Sequence, residues 1–246
     1  MRSCVGLALV TSLLLAGSAS AQMAVQTELM LLCDISGSID ATEFALQQTG
    51  YANAFRDLAI QDRIADATGG IAATLIWWSG ASQQSVAVDW THLTDATSCN
   101  SFATAIEATG RPWDYGMTAP GSAMEFGRPR FGSSFTSTYQ VMDVSGDGIE
   151  NDGYTTWMAR DNAYAAGIDR INGLAIQSQS VKDWYVANVQ KGDGSFTMFA
   201  SDFDVFGDAI LQKIEREIDP IPEPSTWALM GLGVLGIAWA RLRRRG

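Results

Sequence analysis

A stretch that is apolar on both faces has to be covered on both sides, and residues 28–33 contain one: Leu29, Met30, Leu31, Leu32 and Cys33 follow one another without a polar break. Such a strand belongs in the middle of a parallel sheet packed on both faces. Further strands are predicted over 71–78, 139–144, 171–176 and 195–200. Segments of helical spacing lie between them. Phe44, Tyr51, Phe55 and Leu58 recur at intervals of seven, four and three. They predict one helix that ends before Gln61 and is opened by a capping box, Asp40 with Glu43. Helices are also predicted over 94–109, 156–166, 181–189 and 203–218, and a loop runs into another after Thr118. Residues 85–90 alternate and follow 71–78 after a short turn, which suits an antiparallel edge strand. The fold read from this pattern is α/β: a doubly wound, mostly parallel central sheet with one antiparallel edge strand and helices on both faces.

Open sheets of this kind bind ligands at the carboxyl ends of their strands. There the first strand meets Asp34, followed by Ser36 and Ser38. Alternate residues in a strand-to-helix turn can point the same way, so the three side chains can converge. All offer oxygen, which suits a hard cation such as Mg²⁺ or Mn²⁺. The plainer reading of Asp and Ser is that they form turns and cap helices. Two later stretches add to the first. A Gly- and Pro-rich loop, 111–121, carries Thr118 ahead of a helix, and the strand 139–144 is followed by Ser145-Gly146-Asp147-Gly148. Other polar groups have simpler explanations. Asp143, inside a strand, either backs the cation site or bonds a neighbouring backbone amide. Glu150, Asn151 and Asp152 read as an acidic loop before a calcium site, Asp193 as a turn residue, and Trp77-Trp78 as core plus edge packing.

Charge and the two ends bound the function further. Between residues 22 and 220, eleven Lys and Arg face twenty-six Asp and Glu, a net charge of −15. Such a surface repels phosphate backbones, so nucleic acid is excluded as a partner, while divalent cations are compatible with it. Residues 1–21 have a basic residue, an apolar run and Ala19-Ser20-Ala21, the form of a cleavable signal peptide. Export permits disulfides. Cys33 and Cys99 would be the cysteines left after cleavage, and their pairing stays open, since Cys33 sits in a strand where a free thiol packs as a small hydrophobe.

The arrangement of Asp34-x-Ser36-x-Ser38, a Thr in a second loop and Asp147-Gly148 after a buried strand resembles the von Willebrand factor A domain and its metal-ion-dependent adhesion site (MIDAS). The wording Val-Ser-Gly-Asp-Gly at 144–148 is similar to an exported bacterial branch of that superfamily. The resemblance, covering roughly 26–218, implies a cation held by Asp34, Ser36, Ser38, Thr118 and Asp147. The hydroxyls would lie in the inner shell and the carboxylates would orient waters or bind directly. Neutral hydroxyl ligands leave the ion enough charge to take a carboxylate from a partner, with Mg²⁺ the expected ion and Mn²⁺ or Ca²⁺ as alternatives. At the other end, Pro222-Glu223-Pro224, an apolar run over 225–240 and the cluster Arg241, Arg243, Arg244 and Arg245 resemble a PEP-CTERM sorting signal. That resemblance implies transient anchoring in the inner membrane of a Gram-negative bacterium and processing by an exosortase-type enzyme. The expected organisation is a signal peptide at 1–21, an A-like domain at 22–220, and a sorting segment at 221–246 with a short membrane helix and basic tail.

The functional expectation is a non-enzymatic surface or matrix binding protein. Its partner would be a protein or polysaccharide with an exposed carboxylate. The alternative is a metal-dependent hydrolase or phosphoryl-transfer enzyme of the envelope. Against it, an aspartyl nucleophile would want D-x-D where Ser36 stands, no G-x-S-x-G elbow surrounds Ser145, and His92 is the single histidine.

Overall fold

The computed structural model describes residues 22–218. Strands β1 (Met23–Asp34), β2 (Ile71–Trp78), β3 (Gln84–Leu93), β4 (Phe135–Gly146), β5 (Arg170–Ile176) and β6 (Thr197–Ala200) form one sheet in the order β3-β2-β1-β4-β5-β6. All neighbours are parallel except β2 and β3. Helices α1 (Ala41–Arg56), α2 (Leu58–Asp66), α3 (Ala96–Glu107) and α7 (Phe206–Ile218) cover one face; α4 (Pro120–Gly127), α5 (Thr156–Ala165) and α6 (Gln179–Asn188) cover the other. The doubly wound architecture with one antiparallel edge is therefore the observed one.

Strand β1 shows why it lies at the centre. Leu29, Leu31 and Cys33 enter the core under α1 and α7, while Met30 and Leu32 enter the core under α4 and α5. All five are fully buried. Each large side chain buried this way contributes roughly 1.5–3 kcal/mol of transfer free energy. Helix α1 begins at the predicted capping box: the Asp40 carboxylate accepts from the Thr42 and Glu43 amides, and Glu43 Oε2 accepts from the Asp40 amide at 2.8 Å. Helix α7 ends at the opposite pole of the sheet, where Gln26 of β1 donates through Nε2 to the Ile218 carbonyl at 3.3 Å.

Several expectations need correcting. The first helix is two: the Asp57 carboxylate accepts from the Ala59 and Ile60 amides and starts α2. Leu58 is consequently turned outward, 74% exposed, while Phe44, Tyr51 and Phe55 are buried. Strands β1 and β4 begin earlier than predicted, at Met23 and Phe135, whereas β6 and α7 begin later, at Thr197 and Phe206. Trp78 is not an edge residue; both tryptophans are buried, because β3 covers β2 on its outer side. Asp143 neither bonds a backbone amide nor backs the cation site. It forms an ion pair with Lys213 of α7, which also lies 2.6 Å from Glu217 Oε1, and all three side chains are fully buried. The two cysteines are free and buried, and the Cys33 thiol donates to Gln47 Oε1 at 3.1 Å. The expected signal peptide and sorting segment lie outside the described residues. No described helix is long and apolar enough to cross a membrane.

Candidate metal centre

Parallel register brings distant turns to one sheet edge. Cys33 stands level with Trp77 of β2 and Ser145 of β4, so the chain leaves three adjacent strands within one crevice. Asp34 closes β1. Its Oδ1 accepts from the Ser36 amide at 2.7 Å, a bond that bends the chain and turns Ser36 and Ser38 to the same side. Ser36 Oγ lies 3.2 Å from Ser38 Oγ and 3.5 Å from Thr118 Oγ1, and Ser38 Oγ donates to Asp147 Oδ1 at 2.7 Å. The five predicted residues thus form one connected cluster. Asp34, Ser36 and Thr118 make its buried floor, and Ser38 is exposed at its mouth.

The loops are fixed by residues whose roles leave no local trace in the residue pattern. Arg111 donates through Nη2 to the carbonyls of Ile35, Ser36 and Ile39 at 3.1, 3.2 and 2.7 Å, clamping the first loop from outside. The Gly37 amide donates to the Gly116 carbonyl at 3.0 Å, joining first loop to second. Asn151 joins second to third: its Oδ1 accepts from the Thr118 amide at 2.8 Å and its own amide donates to the Thr118 carbonyl at 3.0 Å. Glu150 accepts from Thr156 Oγ1 at 2.6 Å, and Asp152 Oδ2 accepts from the Ala81 amide at 2.8 Å. The acidic stretch 150–152 therefore holds loops together, in keeping with its plainer reading. His92 Nε2 lies 2.7 Å from the Gly69 carbonyl.

Electrostatically the cluster lacks positive charge. Burial pushes the Asp34 carboxyl well above the usual carboxylate range, and nearby Asp147 pushes it further, against the opposing effects of the Ser36 bonds and Arg111. Burial also raises Asp147, against the Ser38 hydroxyl that donates to it. Asp34 Oδ2 is buried without a hydrogen-bond partner. A divalent cation would offset both deficits, and the mixture of two carboxylates and three hydroxyls fits a hard ion. Among the described residues no group of three or more His, Cys, Asp or Glu could hold a metal, and the candidate centre depends on hydroxyls beside its two carboxylates.

The family described as "Protein of unknown function (DUF1194)" matches residues 24–222. The chain belongs to that family. Residues 220–245 of this DUF1194 protein match the PEP-CTERM protein-sorting motif, which marks it as an exported protein of the cell envelope and implies exosortase processing. No curated protein matches the sequence. Similar solved structures are von Willebrand factor A-type proteins. One is proximal thread matrix protein 1 from the mussel byssus with a zinc-occupied MIDAS motif, at 16% identity and a TM-score of 0.54, covering 78% of this chain and 47% of that one. Another is the pilus adhesin SpaC from Lactobacillus rhamnosus GG, at 15% identity and 0.59, covering 78% and 30%. A third is the conserved hypothetical protein BatB from Bacteroides thetaiotaomicron, at 14% identity and 0.52, covering 78% and 98%. The DUF1194 chain spans less than half the length of the byssus protein and of SpaC, and at these identities the likeness is one of fold.

Proposed function

We propose that the protein is an exported, non-enzymatic binding module that engages a carboxylate on a protein or polysaccharide partner through a divalent cation at the candidate centre. Ser36, Ser38 and Thr118 would hold the ion by their hydroxyls, with Asp34 and Asp147 binding directly or through water. When bound, the ion supplies a positive site with room for an outside anion. This chain's own residues do the rest. Three neutral donors leave the ion's charge largely unquenched, and the Ser38 side of the cluster is open to solvent. The observation that carries the reading is the connected cluster itself: three segments spread over more than a hundred residues of sequence bring five oxygen-bearing side chains together. The zinc-occupied MIDAS of the mussel byssus protein and the adhesin identity of SpaC support it by analogy of fold. The sorting motif supports delivery to the cell surface or matrix after transient inner-membrane anchoring.

The test is thermal unfolding of the full chain in Mg²⁺, Mn²⁺ and Ca²⁺. A cation at a hundred times its Kd stabilises by about 2.7 kcal/mol, which raises Tm by roughly 5–10 °C in a domain of this size. Asp34→Ala and Thr118→Ala are expected to abolish or sharply reduce that rise. A wild-type chain indifferent to all three cations refutes the proposal.

A further inference from the structure

The Ser145-Gly146-Asp147-Gly148 turn supplies Asp147 to the centre, but Gly146 has no part in that account. Its surroundings explain it. A Cβ on Gly146 would stand 2.5 Å from the hydroxyl of Tyr185 and 2.7 Å from Asp34 Oδ2, so neither contact could survive a side chain there. Both oxygens therefore flank one point at the end of β4. Both residues are fully buried, and both oxygens are without a hydrogen-bond partner. Two orphaned polar atoms, one a donor and one an acceptor, do not share a buried site without cost: each forfeits roughly 1–3 kcal/mol when left unsatisfied.

The approach of Tyr185 is built from β5 as well. The residue comes from α6, and its ring passes Gly173, whose Cβ would lie 3.0 Å from Tyr185 Cδ1. Gly173 pairs with Val144 and Ala175 with Gly146 in the β4–β5 register, so the two glycines clear a path from helix to strand end. Val181 and Val189 pack in the same core as Tyr185 and fix the helix that carries it.

We infer that Tyr185 is a positioning residue of the cation centre: its hydroxyl and Asp34 Oδ2, not bonded to each other in this structure, border the space that Gly146 keeps open, and the hydroxyl donates to the carboxylate once an ion is held, setting its orientation. The inference rests on the proposed cation site. With Asp34 Oδ1 held by the Ser36 amide and Oδ2 turned to the space beside the Tyr185 hydroxyl, the carboxylate has one favoured orientation in which to meet an ion. The hydrogen bond from Tyr185 then fixes the carboxylate in its ion-holding orientation.

Tyr185→Phe tests this with the loss of one oxygen and no loss of ring packing. Mg²⁺ and Mn²⁺ binding to the full chain is measured by calorimetry, together with the Tm of the metal-free chain and the tyrosine near-ultraviolet difference spectrum on adding metal. Loss of one hydrogen bond to a charged group predicts affinity weakened about tenfold or more. The metal-free Tm should stay close to wild type, and part of the wild-type tyrosine difference signal should vanish. A purely structural tyrosine would lower Tm and leave affinity alone. Wild type and Tyr185→Phe binding metal equally overturns the role of Tyr185 while leaving the cation site standing. A wild-type chain that binds neither ion overturns the site and this inference together.

Discussion

Replacing Lys213 with Met puts the buried charge cluster behind the sheet under direct test. Lys213 is fully buried, in contact with Asp143 and 2.6 Å from Glu217 Oε1, which also accepts from Asn172 Nδ2 at 2.9 Å. Two carboxylates around one ammonium leave one negative charge in excess. Burial first, and then Glu217, push Asp143 up to about 7, although Lys213 opposes the shift. The folded chain therefore holds a proton on Asp143 more tightly than the unfolded chain, where a free Asp titrates near 4. The stability from that proton is complete below pH ~4 and is lost as pH rises through about 7, on the order of 4 kcal/mol in all. Removing Lys213 leaves both carboxylates without their cation. Breaking a buried pair in this way costs roughly 3–5 kcal/mol at pH 7.5, which lowers Tm by about 10 °C. At pH 5 protons can replace the missing ammonium, and the deficit should shrink by more than half. Urea unfolding of wild type and Lys213→Met at the two pH values measures this. An equal deficit at both would show that the lysine stem packs and its charge does not matter, refuting the argument.

Arg111→Ala removes three hydrogen bonds to the first loop, so amide exchange at residues 36–39 should quicken and Mg²⁺ affinity should fall at least tenfold, with little change in global Tm. This is read by hydrogen exchange and calorimetry. Gly121→Ala would set a methyl 2.0 Å from the Tyr154 carbonyl, so it should displace the 150–156 loop and cost about 2 kcal/mol or more by denaturant titration. Cys33 and Cys99 are buried thiols, and burial pushes Cys99 up to about 11. Both should resist thiol reagents until the chain is unfolded, and reductant should leave Tm unchanged.

What was legible in the residues was the architecture and the cluster, and both for the same reason. Apolar runs specify which strands are interior, parallel pairing aligns their ends, and side chains placed just after those ends must meet. Position before a helix was enough to single out Thr118 because α4 starts two residues later. What was hidden depends on partners far along the chain. Asp143 was misread because its counterion stands seventy residues on, and Lys213 with Glu217 looks like an ordinary surface i,i+4 pair. Leu58 fitted a helical stripe that Asp57 interrupts by capping a new helix. Tyr185 falls in a common core spacing with Val181, and nothing local says that its hydroxyl reaches the end of β4. Arg111 and Asn151 bond backbone groups, which leave no trace in side-chain pattern.

The bond between Gln26 and the end of α7 has a consequence for reach. Ile218 stands at the foot of β1, and the oxygen cluster crowns its head, eight residues or roughly 25 Å of extended chain away. A large partner can approach the crown head-on without meeting the pole where α7 ends. The strand acts as a stalk within the domain, setting the rim a full strand length from the end of α7.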